Sequence, residues 1–390
     1  KSIMSEFNTE DITDRAGTGK PDLTNGFTIN GSASGVDPHK HTESANEPSS
    51  PSNGDAWLDT ANDIYKVYID NEWKDWFGTT ANLNYGDKAS RAGFGDQTLN
   101  SLHTWNITTT GNASDWKDLS RTSTARAAAA SSGAYGFLFG GNTDGTNSGP
   151  GVGNVDYYAF ANNTNATNFG SLSVAASQGS ACSDSSRACV QLGYAYTGSS
   201  TEVNTIDYFT MNTPGNATDF GDTTHARRPI ANVQISNNTR GLFAGGYSPS
   251  YGNGSNIIDY ITIANTGNAT DFGDLTVSRY GASGCGSGSG DRGLFGPGYP
   301  SSGYRMMDYV TISTTGNATD FGDVFIGSSN AHNFYGSSCN NATRAVFVAA
   351  GTSNRMEYVT MATTGNASDF GDQVDTTDND FAACTSGAVS

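Results

Sequence analysis

Hydrophobic positions in this chain come in short bursts. Residues 307–313 (MDYVTIS) and 258–264 (IDYITIA) alternate apolar and polar side chains between Gly-, Asn- and Ser-rich borders. Alternation with a period of two is the signature of a half-buried strand. It turns Tyr309 and Thr311 to one side and Val310 and Ile312 to the other. Upstream of each such burst lies a second one, such as residues 240–246 (RGLFAGG) or 292–298 (RGLFGPG), and before it a stretch of small residues. Downstream comes a phrase close to TGNATDFGD. Its Asn recurs at Asn112, Asn165, Asn216, Asn268, Asn317 and Asn366, at intervals of 49 to 53 residues. Six copies at that period, each with about four short strands, predict the blades of a β-propeller rather than a helical solenoid.

The phrase itself reads as a turn and a joint. Gly-Asn suits left-handed backbone, and Thr and Asp bond nearby amides. One aromatic ring stands at the same place in every copy (Trp116, Phe169, Phe220, Phe272, Phe321, Phe370), as expected of packing between neighbouring blades. Two other readings of the phrase are an N-glycosylation acceptor at Asn-Ala-Ser/Thr and a Ca²⁺ site on paired acids such as Asp271 and Asp274.

The ends of the repeat region are offset. Residues 90–97 match the second strand of a repeat and lack a strand before them. Residues 380–388 match a first strand and have no repeat behind them. The C-terminal strand is therefore expected to complete the first blade and close a six-bladed ring, removing two open sheet edges. The expected divisions are an extended segment over 1–50, a small β-hairpin module over 51–87 and the propeller over 88–390. In the module Trp57, Tyr65, Val67, Tyr68, Trp73 and Trp76 supply the apolar side, with turns at Asn62-Asp63 and Asp70-Asn71.

Composition narrows the function. A formal net charge of −18 argues against nucleic acid and against an anionic membrane surface. No apolar run approaches a membrane span. Of five cysteines, Cys182, Cys285, Cys339 and Cys384 fall at first-strand positions, where a small buried hydrophobe is needed. Cys189 lies one strand on, and a Cys182–Cys189 disulfide is conceivable. The five histidines share no repeat position, and there is no nucleophile elbow, HExxH or P-loop, so no enzyme and no cofactor are expected. Arg126, Arg227, Arg228, Arg279 and Arg292 are spaced as blade-joining ion pairs or hydrogen bonds rather than as a catalytic cluster. The loops after the second strand, residues 142–154, 247–256 and 299–305, are rich in Tyr, Ser, Gly and Asn, a mixture suited to recognition. Tyr247, Tyr251, Tyr299 and Tyr304 are the binding candidates, with a polysaccharide or cell-surface glycan as target.

The glycine doublets Gly140-Gly141 and Gly245-Gly246, with an aromatic after each third strand, resemble kelch-type propellers. Residues 54–78 resemble a GD-W-D-T…KVY…W module of bacteriophage tail fibres and other virion proteins. The GNATDFGD propeller is similar to structural proteins of marine phages, particularly those of cyanobacteria. The resemblance implies a virion appendage that docks to other virion proteins through residues 1–80, forms a homotrimer and meets the host. It also implies a metal on the trimer axis held by the His39 and His41 pair. The alternative is a secreted or cell-surface propeller acting as an adhesin or lectin-like module.

Overall fold

The computed structural model describes residues 41–44, 46–59, 64–69, 72–75, 85–92, 100–122, 125–142, 150–251, 254–286, 291–299, 305–324, 336–349, 354–374 and 383–387. The chain divides into two compact units, residues 1–81 and 82–390. Both are built of strands, and no α-helix occurs among the described residues.

The first unit is one sheet of β1 (His41–Ser44), β2 (Ala56–Asp59), β3 (Ile64–Ile69) and β4 (Glu72–Asp75), in that order. β2, β3 and β4 pair antiparallel, as the hairpin pattern predicts. β1 adds in parallel to β2, so four residues of the stretch expected to be extended belong to the sheet. The reason is Trp57. Its indole is buried, meets Trp73 edge-on at 5.5 Å and donates from Nε1 to the Ser44 carbonyl at 3.0 Å. A buried Trp needs a partner for that N–H, and β1 supplies it.

The second unit runs β5 (Lys88–Ala92), β6 (Ser101–Asn106) and β7 (Ser114–Asp118) in the first repeat. The second repeat holds β8 (Ala128–Ser131), β9 (Tyr135–Phe139), β10 (Val152–Ala159) and β11 (Thr167–Ser177). The third holds β12 (Ser180–Ser183), β13 (Arg187–Gln191), a hairpin of β14 (Tyr194–Tyr196) and β15 (Ser200–Glu202), then β16 (Thr205–Thr210) and β17 (Thr218–Asp222). The fourth holds β18 (Val233–Ser236), β19 (Arg240–Ala244), β20 (Ser255–Thr262) and β21 (Thr270–Arg279). The fifth holds β22 (Gly284–Gly286), β23 (Arg292–Phe295), β24 (Met306–Thr311) and β25 (Thr319–Asp323). The sixth holds β26 (Ser337–Asn340), β27 (Arg344–Val348), β28 (Arg355–Thr360) and β29 (Ser368–Asp372), and β30 (Ala383–Gly387) ends the chain. Within each repeat the strands form an antiparallel meander in a propeller-like arrangement. β30 pairs antiparallel with β5, placing the C-terminal strand in the sheet of the first repeat.

The sheets are less separate than the repeats. β18 and β22 join the fourth and fifth repeats into one eight-stranded sheet through a short parallel pairing, Val233 with Gly284 and Gln234 with Cys285. Glycine permits this approach, since a Cβ on Gly284 would lie 2.8 Å from the Val233 side chain. The β14–β15 hairpin leaves its own repeat and pairs with β11, so the sheet of the second repeat has six strands.

The recurring phrase is the joint between repeats. Its Asn side chain accepts a hydrogen bond from a backbone N–H in the preceding repeat's fourth strand. Asn165, Asn216, Asn268, Asn317 and Asn366 accept from Asp118, Ser171, Asp222, Asp274 and Asp323, and Asn112 accepts from Asp372, all at 3.0–3.1 Å. The following Ala N–H donates to the carbonyl of that same residue at 2.7–2.8 Å in every case. The sixth repeat thus bonds to the first as each other repeat bonds to its successor. An outer strand that would expose unpaired backbone is capped along its edge.

Packing follows the same joints. The ring of the phrase meets the third strand of the next repeat. Phe272 clusters with Val310 and Ile312, Phe321 with Val359 and Met361, and Phe370 with Trp105 and Ile107. Four second strands open with an arginine that lies over its own repeat's third-strand tyrosine and donates to the next repeat, whereas β5 opens with Lys88, which lies over Trp116 of β7 and donates to the Phe160 carbonyl, and β9 opens with Tyr135. Arg187, Arg240 and Arg344 sit 4.6–4.7 Å from the rings of Tyr208, Tyr260 and Tyr358. They donate to the carbonyls of Ala264, Ser313 and Thr108 at 2.7–2.9 Å. Arg292 likewise donates to Met361 at 2.8 Å.

A bulge in the pairing of third and fourth strands recurs at His103, Asp156, Asp207, Asp259, Asp308 and Glu357. A bulge re-aims a side chain, and here the five acids are fully buried. Arg227 reaches Asp259 at 2.8 Å, Arg121 reaches Asp156 at 3.0 Å and Arg279 pairs with Asp308. These arginines stand at the end of the preceding repeat, so the expectation of blade-joining ion pairs or hydrogen bonds holds for Arg227 and Arg279, and for Arg292 through its bond to Met361. Arg228 instead lies beside Glu202 at the surface. All five cysteines are buried free thiols, and Cys182 and Cys189 face each other across β12 and β13.

The glycine of DFGD is required by the joint. Gly273 has φ +144°, and a Cβ there would lie 2.4 Å from the Gly316 carbonyl oxygen. Gly273→Ala is expected to destabilise the protein by about 2 kcal/mol or more in chemical unfolding. Substitution of Gly267, whose Cβ would meet nothing within 4 Å, should cost less despite its φ of +154°.

Candidate binding face

Shortly after three second strands a glycine is followed by a tyrosine: Gly193-Tyr194, Gly246-Tyr247 and Gly298-Tyr299. Beside them run the links between repeats. Arg228 and Tyr247 form an isolated antiparallel bridge, bonded N–H to carbonyl at 3.0 and 2.7 Å, and Tyr280 and Tyr299 form another. Arg228 and Tyr280 directly follow the buried Arg227 and Arg279, whose ion pairs fix the backbone on which they stand. Arg227 also donates to the Phe243 carbonyl, and Arg279 to the Met306 carbonyl, both at 3.0 Å.

The side chains form a row. The Arg228 guanidinium lies between two rings, 4.6 Å from Tyr194 and 4.4 Å from Tyr247. Tyr247 meets Tyr280 edge-on at 5.5 Å, and Tyr280 meets Tyr299 at 5.3 Å. Glu202 approaches Arg228 Nε at 3.4 Å. Tyr299 is 38% exposed, Tyr196 on β14 is 41% exposed, and Tyr194, Tyr247 and Tyr280 are half-buried. A guanidinium stacked between tyrosines loses little freedom on binding and keeps the N–H donors at its edge for a ligand. The row can hold a ligand by stacking and hydrogen bonding.

His225 lies beside the buried Arg227. Arg227 lies 3.0 Å from its Nδ1, and Ser255 Oγ lies 3.4 Å from its Nε2. Burial and the Arg227 charge push its pKa down to about 4, against a smaller upward pull from Asp259. The imidazole is neutral at neutral pH.

Of the sequence candidates, Tyr247 and Tyr299 are brought together through Tyr280. Tyr251 closes a 3-10 turn, Pro249–Tyr251. Tyr304 and His39 lie outside the described residues, and His41 is described only as the first residue of β1. Among the described residues no group of three His, Cys, Asp or Glu is placed to hold a metal ion. Sequence reasoning missed Tyr194 and Tyr280 and gave Arg228 a joining role. The recurring Gly-Tyr dipeptide was the signal that could have found Tyr194.

A scan of protein-family models finds none that matches this chain, and no curated protein matches it.

The pKa of His225 carries a sign that can be measured. Between its ordinary value of 6.5 and about 4, the unfolded chain takes up a proton that the folded chain refuses. Stability therefore falls as pH drops through that window. His225→Gln is expected to remove this component, so that the variant loses less stability than the parent between pH 6.5 and 4 in urea titrations.

Proposed function

We propose that this chain is a structural component of a bacteriophage particle, a tail fibre or other surface appendage. In this reading residues 88–390 form a closed six-bladed, kelch-like propeller that attaches to a host-surface glycan or receptor. The observation that carries the attachment role is the row from Tyr194 to Tyr299, a half-buried aromatic and guanidinium row ending at the exposed Tyr299, on a scaffold whose joints are rigidly bonded. The closed ring is supported by the β30–β5 pairing and by the sixth repeat's bonds to the first. The virion role rests on the resemblance of residues 54–78 and of the recurring phrase to phage structural proteins, with residues 1–80 docking to other virion proteins. Recognition on a repeated scaffold lives in what differs between repeats, and the row occupies only the third to fifth.

Mass spectrometry of gradient-purified particles from the source lysate should find this chain at stoichiometric copy number, and class averages of the purified full chain should show six lobes. Recovery of the chain only from a cell-surface fraction would favour the cellular adhesin instead. Five lobes, seven lobes or an open arc would overturn the closed ring.

A further inference from the structure

We infer that the row takes a linear, uncharged oligosaccharide laid along Tyr194, Arg228, Tyr247, Tyr280 and Tyr299. The inference rests on the attachment reading above and names the chemical class of ligand.

Linearity comes from the geometry. The row has four steps of 4.4 to 5.5 Å and crosses three repeats. A small compact ligand covers one or two of these steps. A chain of similar rings can address all of them, each ring meeting an aromatic face or edge, with avidity growing with length.

The absence of charge on the ligand comes from the electrostatics of the face. Arg228 is offset by Glu202, Arg227 by Asp259 and Arg279 by Asp308. His225 adds no charge at neutral pH. Among the described residues of the face each of these cations is matched by an acid, and the chain as a whole carries −18. A polyanion would be repelled at long range and find no surplus positive charge on contact.

Hydroxyl groups on the ligand are favoured over an apolar partner. The large hydrophobic side chains exposed among the described residues are Tyr135, Tyr196, Tyr299 and Val374, so three of the four carry a phenolic hydroxyl. The hairpin turn beside the row is Thr197, Gly198 and Ser199, all exposed. An apolar peptide or acyl chain would find no aliphatic wall, whereas a sugar finds rings for its C–H faces and hydroxyls and amides for its edges.

The test uses the full chain in calorimetric titrations at neutral pH. Cello-, xylo-, manno-, malto- and chito-hexaose serve as uncharged probes, and hexagalacturonate and a heparin hexasaccharide as anionic ones. At least one uncharged hexaose should bind, about tenfold tighter than its disaccharide. Tyr247→Ala and Tyr299→Ala should each weaken it about tenfold, with thermal unfolding confirming that the variants fold. Tyr135→Ala, at the start of β9 and away from the glycine pair, should leave binding unchanged. Silence of all uncharged hexaoses, binding of the anionic ones alone, or binding indifferent to Tyr247→Ala and Tyr299→Ala would overturn the inference. Adhesion of the protein to the cells that the particle infects separates the two claims. Tyr299-dependent adhesion that no uncharged hexaose competes would leave attachment standing and remove the oligosaccharide.

Discussion

The side-chain amide of one asparagine per repeat is the constraint on which the rest of the second unit depends. A four-stranded meander ends in an outer strand whose backbone N–H and carbonyl groups face outward. Left open, that edge recruits other chains. Here Asn and the Ala after it bond to one residue of the previous repeat's outer strand, at 2.7–3.1 Å, in all six places. One short turn both caps an edge and sets the spacing of two sheets, which explains why the phrase tolerates so little change. The joint that departs most is the first. There Lys117 replaces the glycine of DFGD and Thr164 the glycine of TGN. The Lys117 ammonium bonds the carbonyls of Ala159 and Asn162 at 2.8 and 3.0 Å, tying the two repeats by a side chain. Burial, and then the charge of Lys88, lower its pKa to about 8.

Around that constraint the repeats are held by charge in a particular order. Buried pairs such as Arg227–Asp259 contribute little net stability, because desolvation of both groups offsets their attraction. They specify register. An acid turned inward by a bulge accepts from donors of the preceding repeat: the backbone N–H groups of Ser173, Thr224 and Thr276 donate to Asp207, Asp259 and Asp308, and Thr224 Oγ1 and Thr276 Oγ1 donate to Asp259 and Asp308 at 2.7 Å. A slipped neighbour would leave a buried carboxylate unpaired, which costs several kcal/mol. The arginines that open the second strands act near the surface, each stacked on a tyrosine of its own repeat and donating to the next.

This regularity makes the irregular part conspicuous. The row of tyrosines around Arg228 uses positions that exist in other repeats but are filled differently there. Asn142 stands in the second repeat where Tyr194, Tyr247 and Tyr299 stand in the next three, and its backbone makes the corresponding bridge to Ala125. The scaffold determines where these side chains project, and their identity determines what they can hold.

Much of the architecture was legible in the order of residues. Period-two alternation marked the third strands, the recurring phrase counted the repeats, and the matching ends placed β30 beside β5. The small first-strand residues, with cysteine among them, were legible as core. All of these signals are local or periodic, and local periodicity is what a strand imposes on its own sequence. The parallel contact of β18 with β22, the excursion of the β14–β15 hairpin onto β11, the bulges that bury Asp156, Asp207, Asp259, Asp308 and Glu357, and the meeting of Tyr247 with Tyr280 were not legible. The bulges shift register between two strands of one repeat to meet donors of another, and the other contacts join residues of different repeats through the twist and spacing of neighbouring sheets. No period in one strand records how far the next sheet stands from it, so only the tertiary structure could decide these contacts.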